Sequence, residues 1–346
     1  MPTVFLQQGA TFEALEEESL LDAALRQGVS LPYSCRTGRC NTCKCRLVEG
    51  QTRLRHDELG LTEAEKQAGW ILSCARAAVT DVVVQAQDLG GAVLPPRKTL
   101  PCRIDTLGLC APDVMRVMLR LPPSSDFAFL PGQYIEIIGP QGLRRSYSIA
   151  NASAQGKQLE LHIRAVPQGV LSRYWFEEAK AGDLLRLYGP LGTFFMRPCT
   201  GRDVIFLATG TGMAPVKAML EALNAEAGAL LQPRSVTVYW GGRTPSDLYW
   251  PGLNDFQGIR YVPVLSRADA SWSGARGHVQ DRALDDHAHF DQAVVYACGA
   301  EVMIRSAFSA LTQAGLPAER FYADAFVCSA SKIGRASCRE RVSSPV

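Results

Sequence analysis

The sequence predicts a multidomain chain: a small α+β domain, then an antiparallel β-barrel, then an α/β domain built on a parallel sheet. Three observations predict it. The length, 346 residues, exceeds that of one ordinary domain. Residues 102–199 are dominated by short strand patterns separated by turns, such as CRIDTLGL, VMRVMLRL and QLELHIRAV. From residue 203, apolar strands (VIFLAT, SVTVYWGG, IRYVPVLS, AVVYACGA) alternate with helical stretches, as a parallel sheet with crossovers requires.

Within residues 1–92, strands are expected at 3–8 and 11–15 around a turn at Gly9. Ser19 opens a helix, with Asp22 three residues on as a capping partner, and Gly28 closes it. Further strands are expected in CKCRLVEG (43–50) and VTDVVVQAQ (79–87). Residues 93–101, inside the Gly- and Pro-dense GGAVLPPRKTLP, read as a linker. The barrel then occupies 102–199 and the α/β domain 200–328.

Residues 332–346 read as a non-native tail. IGRASCRERV (333–342) has no apolar period and coincides with the in-frame translation of a common sequencing adapter, so the native terminus is expected to be lost there. The tail carries Lys332, Arg335, Arg339 and Arg341 against Glu340, so the chain's +2 becomes −1 without it. A genuine disordered basic tail is the alternative.

Composition excludes several classes. Hydrophobic residues make up 47% and charged residues 20%, an ordinary globular balance. No apolar run approaches the roughly 18–20 residues that cross a bilayer, so no membrane partner is expected. A net charge of +2 does not suggest nucleic acid. The N-terminus lacks a basic n-region and an apolar h-region, and a cytoplasmic location is expected. In that compartment eleven cysteines are not expected to form a disulfide framework.

Four of those cysteines fall in SCRTGRCNTCKC (34–45). The spacing is Cys35-x4-Cys40-x2-Cys43, then thirty residues, then Cys74. This is the plant-type [2Fe–2S] ligand pattern. Gly38 gives the loop backbone freedom, and Arg36, Arg39, Lys44 and Arg46 offset the negative charge of the thiolates. Zinc is the competing metal, but its sites usually pair two C-x2-C knuckles or add a His pair. Cys45 fits no ligand role and reads as a packing residue.

Two further constellations carry chemistry. RRSYSIAN (144–151) places Arg145, Tyr147 and Ser148 on one strand, with Arg145 and Tyr147 alternating to one face and Ser148 to the other. An ordinary half-buried strand with a surface arginine would look the same. VIFLATGTGMAP (204–215) is strand, glycine turn and helix. In that context Gly210, Thr211 and Gly212 let the backbone approach a pyrophosphate, and Pro215 suits a first helical turn. Arg243 and Arg267 are the candidates for a nucleotide 2′-phosphate, although each could equally be a surface arginine. Neither sits in a dense basic cluster, which favours NADH, with NADPH possible.

On these motifs residues 1–92 resemble a plant-type ferredoxin domain of β-grasp fold. Residues 102–327 resemble a ferredoxin–NADP⁺ reductase-type module, an FAD-binding barrel plus a Rossmann-like nicotinamide domain. The resemblance implies roles. Arg145 pairs with the FAD pyrophosphate, Tyr147 stacks on the flavin and Ser148 sits near its N5. The turn Gly169, Val170, Leu171, Ser172 binds the pyrophosphate. His162, Ile163 and Arg164 lie along the flavin edge, with His162 more structural than catalytic. Cys298 and Gly299, in YACGA, lie beside the nicotinamide ring, and Cys298 positions it. Phe326, in FYADAFV, covers the flavin.

The order of domains is similar to that of reductases that pass electrons from NAD(P)H through FAD and [2Fe–2S] to a protein acceptor. LPYSCRTGRCNTCKC, GTGMAPVK, VYWGGR and DAFV resemble most the CDP-6-deoxy-Δ3,4-glucoseen reductases, whose acceptor is a pyridoxamine-phosphate-dependent iron–sulfur dehydrase. The alternatives are the reductase component of a mono- or dioxygenase, and a non-enzymatic redox sensor.

Overall fold

A computed structural model describes the whole chain except residues 88, 90–91, 140–141, 226–230 and 327–346, and except the side chains of 155 and 255. The expected tail, 332–346, and the last two residues of the expected third domain therefore lie outside the described residues.

The first domain begins with β1 (Thr3–Leu6) and β2 (Thr11–Glu13), an antiparallel pair in which Val4 faces Phe12. Gly9, at φ 100°, makes the turn between them. Helix α1 (Leu20–Arg26) is capped as expected: the Ser19 hydroxyl accepts from the Asp22 amide at 3.0 Å. Its Leu20, Leu21, Ala23 and Ala24 are buried against the sheet. β3 (Lys44–Glu49) follows the cysteine loop. Then come four short elements that periodicity does not reveal: β4 (Thr52–Leu54), α2 (Glu63–Gln67), β5 (Trp70–Leu72) and β6 (Arg76–Ala78). β7 (Val82–Ala86) completes a sheet of order β2-β1-β7-β3-β5, with β1 and β7 parallel.

The barrel contains β8 (Lys98–Ala111), β9 (Val114–Arg120), β10 (Tyr134–Ile138), β11 (Arg144–Ser148), β12 (Gln158–Arg164), the short helix α3 (Val170–Arg173) and β13 (Leu184–Leu191). Their order is β11-β10-β13-β8-β9-β12, and a bridge between Ile149 and Leu161 closes the sheet on itself. β8 starts at Lys98, inside the expected linker. Residues 98–103 pair with β13, and Pro101 is accommodated opposite Arg186. The interior is apolar, with Ile104, Leu119, Ile135, Leu161, Trp175 and Leu187 fully buried.

The third domain runs β14 (Asp203–Thr209), α4 (Met213–Asn224), β15 (Ser235–Gly242), β16 (Ile259–Leu265), β17 (Ala275–Arg276), α5 (Val279–Asp286), β18 (Ala293–Ala300), α6 (Glu301–Gln313) and β19 (Phe321–Phe326). All strands are parallel, in the order β17-β16-β15-β14-β18-β19. The direction of winding reverses between β14 and β18. A sheet of this kind opens a crevice at that point, at the C-terminal ends of its strands.

Candidate functional site: a cysteine loop, a flavin-type strand and a glycine crevice

The cysteine loop is shaped by backbone crowding. Gly38 has φ 71°, and a Cβ there would fall 2.2 Å from the Asp57 carbonyl oxygen. Gly60 is needed for the same reason, because a Cβ would fall 2.7 Å from the Cys40 carbonyl oxygen. So folded, the loop brings the four expected ligands together as two pairs. The Cys43 and Cys74 sulfurs are 3.2 Å apart. In the other pair the Cys40 amide donates to the Cys35 sulfur, and the Cys35 amide to the Cys40 sulfur, each at 3.4 Å. The Thr37 amide also donates to the Cys35 sulfur at 3.4 Å. The hydrogen bond from the Cys40 thiol, helped by these amides, lowers the Cys35 pKa despite burial. The Cys40 thiol is pushed up, by Cys35 and by burial.

No three of the described His, Cys, Asp and Glu side chains converge on a single ion. Two pairs are what a centre with two irons and four thiolates asks for. Cys45 points into the core of its own domain, where burial pushes its thiol up to about 12.

On β11 the Tyr147 hydroxyl accepts from the Trp175 indole N–H at 3.0 Å, and the two rings meet edge to face. Burial raises the phenol pKa to about 12, so it stays protonated. Ser148 is buried opposite Tyr134. The Arg145 guanidinium folds back onto the Arg144 carbonyl at 2.7 Å. Ser172 accepts from the Val166 amide at 2.8 Å and so closes the turn at Gly169. Leu171 is buried in the barrel core, Val170 is exposed, and Ile163 is a core residue. A cavity of about 330 Å³ separates the cysteine loop from this strand pair. Cys35, Arg36, Cys74, Tyr134, Glu136 and Ser146 are in its wall.

His162 belongs to a buried network. Its Nε2 meets Glu160 at 2.8 Å and its Nδ1 meets the Tyr249 hydroxyl at 2.9 Å. Lys217 of α4 reaches the same Glu160 at 3.1 Å and the Ala150 carbonyl at 3.0 Å. This network ties the barrel to the third domain. Arg164 also reaches across: it pairs with Asp113 at 3.0 Å and with Asp247 at 2.8 Å.

The crevice at the switch point is built by three glycines. A Cβ on Gly210 would meet the Arg164 guanidinium at 2.6 Å. One on Gly212 would fall 2.2 Å from the Cys298 carbonyl oxygen, and one on Gly299 would fall 2.2 Å from the Thr209 hydroxyl. The ends of β14 and β18 therefore touch, with Thr211 buried between them and Pro215 in the first turn of α4. Cys298 is fully buried, which pushes its thiol well up. Phe326 ends β19, 39% exposed. Arg243 and Arg267 lie apart from the glycines, in a cavity of about 360 Å³ with Asp113, Thr244, Ser246 and Asp247.

Sequence reasoning missed Asp247, the Glu160–Lys217 pair and Asp324. The last is buried, and burial raises its carboxyl pKa to about 6. An acid in the otherwise apolar FYADAFV was the available signal.

Comparison with known proteins agrees with this division. Residues 4–79 match the 2Fe-2S iron-sulfur cluster binding domain, 101–196 the oxidoreductase FAD-binding domain and 206–308 the oxidoreductase NAD-binding domain. The chain is 38% identical over 325 residues to the CDP-6-deoxy-L-threo-D-glycero-4-hexulose-3-dehydrase reductase of Yersinia pestis, covering 93% of this chain and 97% of that one. The chain belongs to the NAD(P)H-dependent flavo-iron–sulfur reductases. Its cofactors are accordingly a [2Fe–2S] cluster, FAD and a nicotinamide nucleotide. This reductase is also 33% identical over 324 residues to the terephthalate 1,2-dioxygenase reductase component 1 of Comamonas sp., covering 92% of this chain and 95% of that one. Among solved structures it resembles the cytochrome P450 reductase of Amycolatopsis, with a TM-score of 0.74 and 31% identity over 94% of this chain and 99% of that one. The expected non-enzymatic alternative is thereby set aside. No described helix is long and apolar enough to cross a membrane.

Proposed function

We propose that this reductase supplies single electrons from NADH to a pyridoxamine-phosphate-dependent iron–sulfur dehydrase acting on a CDP-linked sugar. The observation that carries this reading is the 38% end-to-end identity to a reductase named for a CDP-6-deoxy-hexulose 3-dehydrase. Bound FAD would supply the chemistry that links a two-electron hydride donor to a one-electron acceptor, a cluster at about −400 mV for plant-type centres.

The residues of the chain hold these groups in place. Cys35 and Cys40 would hold one iron, and Cys43 and Cys74 the other. Arg145 supplies a cation for the FAD pyrophosphate, and the turn Gly169–Ser172 supplies backbone amides and a hydroxyl. Tyr147, fixed by Trp175, offers a ring face to the flavin, and Ser148 a hydroxyl near its reacting edge. His162, Ile163 and Arg164 support that edge, and Phe326 covers it. Gly210, Thr211, Gly212 and Pro215 receive the nucleotide pyrophosphate. Cys298 and Gly299 orient the nicotinamide. Arg243 and Arg267 line the second cavity with Asp113 and Asp247, whose carboxylates Arg164 already pairs. The preference for NADH rests on the sequence, where neither arginine sits in a dense basic cluster.

A second reading is delivery to an oxygenase component, favoured by the 33% identity to a dioxygenase reductase. The test mixes anaerobically reduced reductase with the dehydrase or with the oxygenase component and follows reoxidation of the cluster. Rapid reoxidation by the dehydrase with its CDP-sugar is expected. Reoxidation by the oxygenase component alone would replace the first reading with the second.

A further inference from the structure

The two residues before Cys35 are gripped from two other domains. Tyr33 and the barrel's Thr193 exchange three bonds: Tyr33 amide to Thr193 hydroxyl at 2.9 Å, and both the Thr193 amide and hydroxyl to the Tyr33 carbonyl at 3.1 Å. The Tyr134 hydroxyl, also from the barrel, donates to the Ser34 carbonyl at 2.7 Å. From the third domain, Asp324 accepts from the Ser34 hydroxyl across 290 residues of sequence. Thr42, on the far side of the loop, donates to the Ala323 carbonyl at 3.3 Å. Cys40 packs against the apolar core of that domain.

Asp324 is the costly member of this set. It and Ser34 are both buried, at 5% and 4% exposure. Among the described residues it has no cationic partner. A carboxylate buried with one hydroxyl for company is unfavourable unless the contact serves a purpose. Thr193 and Tyr134 already hold the main chain of the loop to the barrel. Among the described residues, Asp324 makes the one side-chain bond that ties Ser34 to the third domain.

We propose that the Ser34–Asp324 hydrogen bond is a positioning contact that seats the cluster loop at the three-domain junction for electron transfer from flavin to cluster. The step it serves moves one electron, oxidising the reduced flavin and reducing the cluster by a single equivalent, with NADH as the source. The inference rests on the proposed reading of Cys35 as a cluster ligand.

The test uses the full chain with cofactors bound, and variants S34A, D324A and D324N. Stopped-flow absorbance separates reduction of flavin by NADH from reduction of the cluster. Hydrogen exchange reads the Tyr33 and Thr193 amides. S34A and D324A are expected to slow cluster reduction about tenfold and to raise exchange at both amides, as loss of a buried hydrogen bond would in a docking equilibrium. D324N, which can still accept from Ser34, is expected to stay within about twofold of the parent. The double variant is expected to be no slower than either single one. Unchanged cluster reduction and exchange in both S34A and D324A would overturn the proposal. Equal slowing of flavin reduction would also overturn it, by placing Asp324 in the hydride step beside its strand neighbour Cys298. Iron and labile sulfide are measured first on the parent. A parent without them sinks the ligand reading and this contact with it, whereas a fully loaded parent with indifferent variants sinks the contact alone.

Discussion

Replacing Gly212 with alanine adds one methyl group where the strands β14 and β18 meet. The new carbon would fall 2.2 Å from the Cys298 carbonyl oxygen and 2.6 Å from its carbonyl carbon. Both are main-chain atoms of a strand whose neighbours are fully paired, so no side chain can swing aside. Relief needs the turn to retreat by about 1 Å, since real contacts of this kind lie near 3.5 Å. Overpacking of this sort costs about 1–3 kcal/mol in stability. A displacement of about 1 Å in the geometry that presents the nucleotide costs on the order of 10²-fold in rate. The assay is anaerobic stopped-flow reduction of the flavin by NADH, with dithionite reduction as the control. G212A is expected to lose about two orders of magnitude with NADH and nothing with dithionite. G210A is the comparison. There the clash is with the Arg164 guanidinium at 2.6 Å, which Asp113 and Asp247 hold, and Gly210 has φ 54°, so alanine is strained there as well and a comparable loss is expected. If G212A reduced its flavin at the parental rate, the crevice would not be where the nucleotide reacts.

Other outcomes follow from the same geometry. C74A is expected to lose the visible bands and iron of the cluster while keeping NADH–ferricyanide activity through the flavin. C45A is expected to keep full iron content at a cost of about 1 kcal/mol in thermal stability. R243A is expected to raise KM for NADH several-fold with kcat little changed, checked by steady-state kinetics, because Arg243 lines the second cavity and not the turn of Gly210 and Gly212. Stability is expected to fall on acidification below about pH 6.5, the ordinary histidine pKa. Burial lowers the His162 pKa in the folded protein, so the unfolded chain binds that proton more readily and stability is lost as pH falls through this range. Glu160 acts in the same direction at lower pH: its pKa is lowered in the fold, where hydrogen bonds from His162 and Arg116 outweigh burial. Thermal melts of H162Q should show a shallower slope between about pH 6.5 and 5.

Features marked by local pattern were legible. The cysteine spacing, the strand RSYS and the glycine turn all sit on the expected kinds of element, and the barrel and the parallel sheet follow the strand textures. The helix boundary at Ser19 was legible because a cap is a local bond. β4, α2, β5 and β6, of three to five residues each, were not, since so few residues set no period. The start of β8 was hidden by Pro101, which usually breaks a strand but here lies opposite Arg186 in β13. The roles of Glu160, Lys217 and Asp324 depend on partners brought together only by the tertiary fold. Lys217 meets Glu160 across 57 residues, and no linear motif encodes that.

The grip on Tyr33 and Ser34 has a consequence for synthesis. The first domain is complete by Ala86, yet the acid that fastens its loop is residue 324. Translation at about 5–20 residues per second leaves on the order of tens of seconds between the two. Through that interval the last strand is not yet made, and for its first part neither is the barrel, so the nascent loop stands open to iron and sulfide donors. Metal insertion thus has a natural window on the ribosome, one that closes when β19 emerges and docks.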